Sequence, residues 1–176
     1  GCEGPRAALD VTVYATPALP VVNTPILYCQ NAVASQLSAT GSNLQWYTTL
    51  TGGTASATAP TPSTLATGIT THYVSQTING CEGPRAAIVV NVNPTPSAPI
   101  TSLVTYCQNA TASALTAVGS NLLWYNNPLS GTGTAIAPTP STATAGITSY
   151  YVSQTVSGCE SPRALITVEI FATPNL

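Results

Sequence analysis

The sequence predicts an all-β chain of tandem β-sandwich repeats of about 78 residues, each with one disulfide. Three observations lead there. Gly80-Cys81-Glu82-Gly83-Pro84-Arg85 recurs as Gly1-Cys2-Glu3-Gly4-Pro5-Arg6 and as Gly158-Cys159-Glu160-Ser161-Pro162-Arg163, with cysteine steps of 81 − 2 = 79 and 159 − 81 = 78. Tyr28-Cys29-Gln30-Asn31-Ala32 returns as Tyr106-Cys107-Gln108-Asn109-Ala110, and 107 − 29 = 78. Between these markers, short runs rich in Thr, Tyr and Val alternate with Gly, Pro and Asn turns, and no segment carries a helical period. Self-similarity at a fixed period identifies an array, and short strands punctuated in this way identify a sandwich.

Residues 1–15 read as the closing strand of a preceding repeat. Leu9, Val11 and Val13 alternate with polar residues and match Ile88, Val90 and Val92, then Ile166, Val168 and Ile170. A period of two with one apolar face places these side chains in a core. Residues 16–93 form the first repeat, 94–171 the second, and 172–176 lead to a further one. Tyr14 to Pro20 and Asn93 to Pro99 read as short, semi-stiff linkers, because proline removes ladder donors and favours extended backbone. The one-residue change in period is assigned to this linker.

Within the first repeat, a strand is expected around Leu37, a turn at Gly41-Ser42-Asn43, and a strand over Leu44 to Tyr47. In that strand Leu44 and Trp46 share one face, as do Leu122 and Trp124 in the second repeat. A core role is the stronger reading of the tryptophans, with sugar stacking the weaker; exposed Tyr47 and Tyr125 are the better sugar candidates. Ala59-Pro60-Thr61-Pro62 is extended and cannot be a central strand. Thr70 to Ile78 is a strong strand, and Asn79-Gly80 a tight turn into Cys81. Which face of Tyr73-Val74-Ser75 is buried stays open. From Cys29 to Cys81, 33 of 53 positions recur without a gap in the second repeat, so both repeats share one fold.

Charged residues make up 5% of the chain and Lys is absent. A nucleic-acid binder needs a basic face, so that class is excluded. No apolar run reaches the ~18 residues of a membrane span. The cysteines sort by repeat: Cys29 pairs with Cys81 and Cys107 with Cys159, while the partner of Cys2 lies in a preceding repeat. Closing the 53 residues from Cys29 to Cys81 (81 − 29 + 1) would stabilise a unit by roughly 4 kcal/mol on the chain-entropy account. Paired cysteines in small units point to an oxidising, secreted setting.

A Trp strand between two cysteines resembles an immunoglobulin-like sandwich. The second cysteine departs from the antibody pattern, since Cys81 lies 81 − 73 = 8 positions after Tyr73. The succession Tyr-Cys-Gln-Asn, Leu-x-Ala, Trp-Tyr, Ala-Pro-Thr-Pro, Tyr-Val-Ser-Gln-Thr and Gly-Cys-Glu-x-Pro-Arg is similar to the Ig-like repeats of very large Bacteroidetes surface proteins. These include gliding-motility adhesins of the SprB type. The resemblance implies type IX secretion and display on the cell surface as long threads, and it assigns no ligand-binding residue.

Catalysis finds no support. The acids are Glu3, Asp10, Glu82, Glu160 and Glu169, and the only histidine, His72, is replaced by Tyr150 in the second repeat. Acid–base chemistry needs positioned titratable groups. Calcium needs several clustered oxygens, so no metal or other cofactor is expected. The recurring charges Glu82, Arg85, Glu160 and Arg163 are either solvated pairs or contacts at repeat junctions. The expected function is a stalk that spaces and displays adhesive regions, and the resemblance extends this to movement in gliding. Its partners are neighbouring repeats, homotypic filament contacts and an unnamed surface or polysaccharide ligand. Two rivals stand beside it: a filament assembled by strand complementation through residues 1–15, and a carbohydrate-binding accessory of a secreted enzyme.

Overall fold

The structure is a computed structural model that describes residues 1–174. The described residues contain no helix, and so none long and apolar enough to cross a membrane. The strands are β1 (Val21–Val22), β2 (Ile26–Cys29), β3 (Ala39–Thr40), β4 (Gln45–Tyr47), β5 (Gly68–Ser75), β6 (Thr77–Ile78) and β7 (Cys81–Glu82). They continue as β8 (Ala86–Asn93), β9 (Val104–Cys107), β10 (Leu122–Tyr125), β11 (Gly146–Val156), β12 (Cys159–Glu160) and β13 (Ala164–Phe171). Two compact units result. The first holds residues 1–28 and 32–92; the second holds Cys29–Asn31 and the chain from Asn93 onward.

In the first unit the main sheet has the order β2-β8-β5-β4, and β1 pairs with β3 in a separate ribbon. In the second the order is β10-β11-β13-β9, with β12 on β11. The central strands β8 and β13 alternate as expected: Ile88, Val90 and Val92, and Ile166, Val168 and Ile170, are buried. Trp46, Val74 and Leu37 complete the first core, and Leu44, half-buried, packs against it. Trp124, Val152 and Leu115 do the same in the second, with Leu122 at the edge. The extended Ala59-Pro60-Thr61-Pro62 segment carries no strand, and the Leu37 amide donates to the Pro60 carbonyl at 2.9 Å. The β6–β7 turn has Asn79 at φ 50° and Gly80 at φ 78°. These are the two left-handed positions a two-residue hairpin demands. Ser157 and Gly158 repeat them.

Three expectations change. Residues 1–15 form no strand, and Leu9, Val11 and Val13 are exposed. Its equivalent β8 is held between β2 and β5, and no described strand pairs with residues 1–15. The proline segments are not free linkers: Pro17, Pro20 and Pro99 are buried. The Gln76 amide donates to the Ala18 carbonyl and the Gln154 amide to the Ser97 carbonyl. These pairs match at an offset of 79 for the acceptor, so the extra residue lies after Ala18 and before Cys29. On β5, Val74 and Ser75 are both fully buried, on opposite faces.

The third change is the disulfide. Cys29 is bonded to Cys159, 130 residues away with a Cα–Cα distance of 5.5 Å, while Cys2, Cys81 and Cys107 are free thiols. The pairs Cys29–Cys81 and Cys107–Cys159 do not form. Register shows why. Cys107 sits opposite Phe171 in the parallel β9–β13 pair, and Ile170 sits opposite Gly146 at the start of β11. Cys159 sits opposite Val156 at the end of β11. Ten residue steps at about 3.3 Å separate those ends by roughly 33 Å, against the ~4.4–6.8 Å that a disulfide spans. The first repeat is alike: the Gln30 amide donates to the Asn93 carbonyl, beyond the Gly68↔Val92 pair, whereas Cys81 faces Ile78.

Ile88→Ala and Ile166→Ala remove side chains at the centre of each core and should each cost ~2–5 kcal/mol. Urea unfolding followed by the fluorescence of Trp46 and Trp124 measures this. A loss below about 1 kcal/mol would contradict the core described here.

Candidate functional site

The Gly-Cys-Glu-x-Pro-Arg motif builds the same clasp in both units, on the face of the sheet opposite the core. After the Asn79-Gly80 turn, β7 runs back along β6 and sets Glu82 over β4 and β5. Its Oε1 accepts hydrogen bonds from the Tyr47 hydroxyl and the Ser75 hydroxyl, both at 2.6 Å. Pro84 turns the chain, and Arg85 lies back over Tyr47, its guanidinium carbon 3.2 Å from the ring centroid. Arg85 Nη1 also donates to the carbonyls of Thr49 and Gly52, at 2.8 and 2.7 Å, tying down the turn after β4. In the second unit Glu160 accepts from Tyr125 and Ser153 at 2.6 Å. Arg163 stacks on Tyr125 at 3.3 Å and donates to the carbonyls of Asn127 and Ser130.

This corrects two expectations. Tyr47 and Tyr125 are 6% and 7% exposed, so neither presents a face to a sugar. Glu82, Arg85, Glu160 and Arg163 bond to residues of their own repeat, and neither glutamate forms an ion pair with the arginine of its motif. The leading copy shows the contrast. Arg6 and Glu3, without a tyrosine or serine to bind, meet each other in an exposed ion pair at 3.0 Å. Such a pair contributes little. Tyr47, Ser75, Tyr125 and Ser153 lie far from the motif in sequence, and their recurrence with it in both repeats is the signal that links them.

The clasp shifts its carboxylates. Hydrogen bonds from Ser75, then Tyr47, hold the Glu82 carboxyl below its ordinary value of 4.5; burial opposes this, and the Arg85 charge adds least. Ser153 and Tyr125 act likewise on Glu160. A carboxyl depressed on folding stabilises the fold above its unfolded pKa, and that contribution is lost as pH falls through the folded value. Ser75 and Ser153 are fully buried donors to carboxylates, a poor setting for a nucleophile. Burial lowers the pKa of His72, so its ring is neutral near pH 7, and its buried Nδ1 has no hydrogen-bond partner. Among the described residues, no three His, Cys, Asp or Glu side chains converge as metal ligands.

Residues 17–94 and 96–171 match the family described as Ig-like domain, CHU_C associated. The chain belongs to that family. No curated protein matches it. Solved structures with similarity include human mucin-like protocadherin EC1-2, at 10% identity, covering 88% of this chain and 98% of that one, TM-score 0.29. Protocadherin gamma B2 extracellular cadherin domains 1-5 match at 10% identity over 93% and 42%, TM-score 0.29. Sidekick-1 immunoglobulin domains 1-5 match at 12% identity over 88% and 40%, TM-score 0.25.

Arg85→Ala removes a stacked cation and two charge-assisted hydrogen bonds, and should cost roughly 2 kcal/mol in denaturant unfolding. An unchanged midpoint would show that the clasp is ornamental. Glu82→Gln with Glu160→Gln should be less stable than the parent at pH 7, and the gap should narrow as pH falls below 4.5. Paired unfolding curves from pH 7 to pH 2.5 test this, and a gap constant with pH would refute the linkage.

Proposed function

We propose that this chain is a non-catalytic stalk segment of a secreted surface protein, a spacer that carries adhesive regions located elsewhere. One observation carries the reading. Apart from the cysteines, the distinctive residues of the recurring motifs are occupied inside their own unit: the tryptophans in the cores, and tyrosine, serine, glutamate and arginine in the clasps. What recurs is a means of making a unit, and no presented site recurs with it. Membership of an Ig-like family agrees with an extracellular structural or adhesion role. Its partners are neighbouring repeats and, through other parts of the protein, a surface or polysaccharide; no cofactor takes part. The motif resemblance extends the proposal to type IX export and to a thread moved in gliding.

A second reading draws on the exposed Leu9, Val11 and Val13, which have the pattern of a strand without a sheet. In it the chain is a filament subunit that donates this strand to another copy. Antibody labelling of intact cells, with a denaturing gel with and without reductant, separates the readings. The stalk requires surface label and a polypeptide of hundreds of kilodaltons in both lanes. Label confined to the cell interior would overturn it. A ladder that collapses to about 18 kDa on reduction, near the chain's own 17.8 kDa, would replace it with the filament.

A further inference from the structure

The second unit closes on a tripeptide that stands near the start of the first repeat. Cys29–Asn31 belongs to the second unit, and Cys29 carries its disulfide to Cys159. Hydrogen bonds hold the tripeptide: the Gln30 amide donates to the Asn93 carbonyl at 2.8 Å, and the Thr95 hydroxyl to the Gln30 carbonyl at 3.3 Å. The Asn93 side chain then donates to the Ser157 carbonyl in the turn before Cys159, at 2.9 Å. Meanwhile the two cysteines of any one repeat lie at opposite ends of a strand run roughly 33 Å long, beyond the reach of a disulfide.

We propose that a skipped pairing is the rule of the array: the opening cysteine of each repeat is bonded to the closing cysteine of the repeat that follows. This rests on the tandem-array reading above. Cys107 is then the unfilled counterpart of Cys29, and Cys81 that of Cys159. Cys107 is already set for the role. It is exposed at the end of β9, and the Gln108 amide donates to the Phe171 carbonyl at 2.8 Å, as Gln30 does to Asn93. Thr173 stands one period after Thr95. Phe171 replaces Asn93, so the side-chain bond to the facing turn is absent from the next junction, and the disulfide and the backbone carry it. Each bond forms as two thiols pass two protons and two electrons to an external disulfide, which leaves as two thiols.

The mechanical consequence follows from numbering. The bond from Cys29 to Cys159 encloses Cys107, so a bond starting at Cys107 begins inside the loop of the one before. Successive loops overlap by 159 − 107 = 52 residue steps, and a pulled array meets a covalent crosslink before any unit can extend fully.

Disulfide mapping tests this. The 176-residue chain is refolded with oxidised glutathione, alkylated, digested without reduction and analysed by mass spectrometry. The expected map has the Cys29–Cys159 peptide pair, with Cys2, Cys81 and Cys107 outside any intramolecular pair. A second chain carries one more copy of residues 94–171 after Pro174. There Cys107 should be joined to the closing cysteine of the added copy. Peptides pairing Cys29 with Cys81 or Cys107 with Cys159, or a Cys107 that stays alkylated in the longer chain, would overturn the proposal. The maps are made on purified protein, so they stand apart from the cell-surface test: a failed stalk reading leaves them unchanged, and a failed map leaves surface display untouched.

Discussion

One constraint organises each unit: a long antiparallel strand run that is paired at both of its ends with different parts of the chain. In the second unit it is β11, eleven residues without interruption. In the first it is β5 continued by β6. One end pairs with the last residues of the central strand and the other with the cysteine hairpin. Strand geometry makes this run rigid in length, and that length keeps the two cysteines of a repeat apart. Pairing across the chain is the consequence of a strand too long to let neighbours in sequence meet.

The same strands bury both faces at one end. Adjacent residues on a strand point to opposite sides. Trp46 and Val74 therefore enter the core, while Tyr47 and Ser75 turn outward. An ordinary antiparallel sheet leaves that outer face to water. Here a glutamate and an arginine, delivered by the hairpin, cover it. In a chain with so few charges, two per unit are committed to this cover. Glu82 and Arg85 do not neutralise each other as Glu3 and Arg6 do. Each finds a neutral partner, and the tyrosine ring lies between them as the shared surface.

These features suit a structural unit that is copied. The clasp and the core tryptophans use residues that both repeats retain, while substitutions such as Val33 for Thr111 fall outside them. The outer surface carries few charges, and Leu129, Ile136 and Ile147 are exposed on it. A structural repeat is served by this division: fixed internal contacts, and an exterior free to vary from copy to copy.

The repeat, the all-β class, the alternating strands and the Asn79-Gly80 turn were legible in the sequence by itself, because each depends on neighbours close along the chain. Period two identifies Ile88, Val90 and Val92 as one face wherever the strand ends up. A hairpin turn needs two left-handed residues, and Asn-Gly supplies them. Partner choice is another matter. Tyr47 beside Trp46 looks like the exposed neighbour of a core residue, and only the return of Arg85 buries it. Leu9, Val11 and Val13 have a strand's pattern, yet a strand exists only where other strands accept it. The spacing of Cys29 and Cys81 suggests a closed repeat, while register holds them at opposite ends of a sheet and gives Cys29 to Cys159. Local pattern determines which residues form an element. Tertiary register decides which distant atoms meet, because that depends on the lengths and order of strands that no short window of sequence contains.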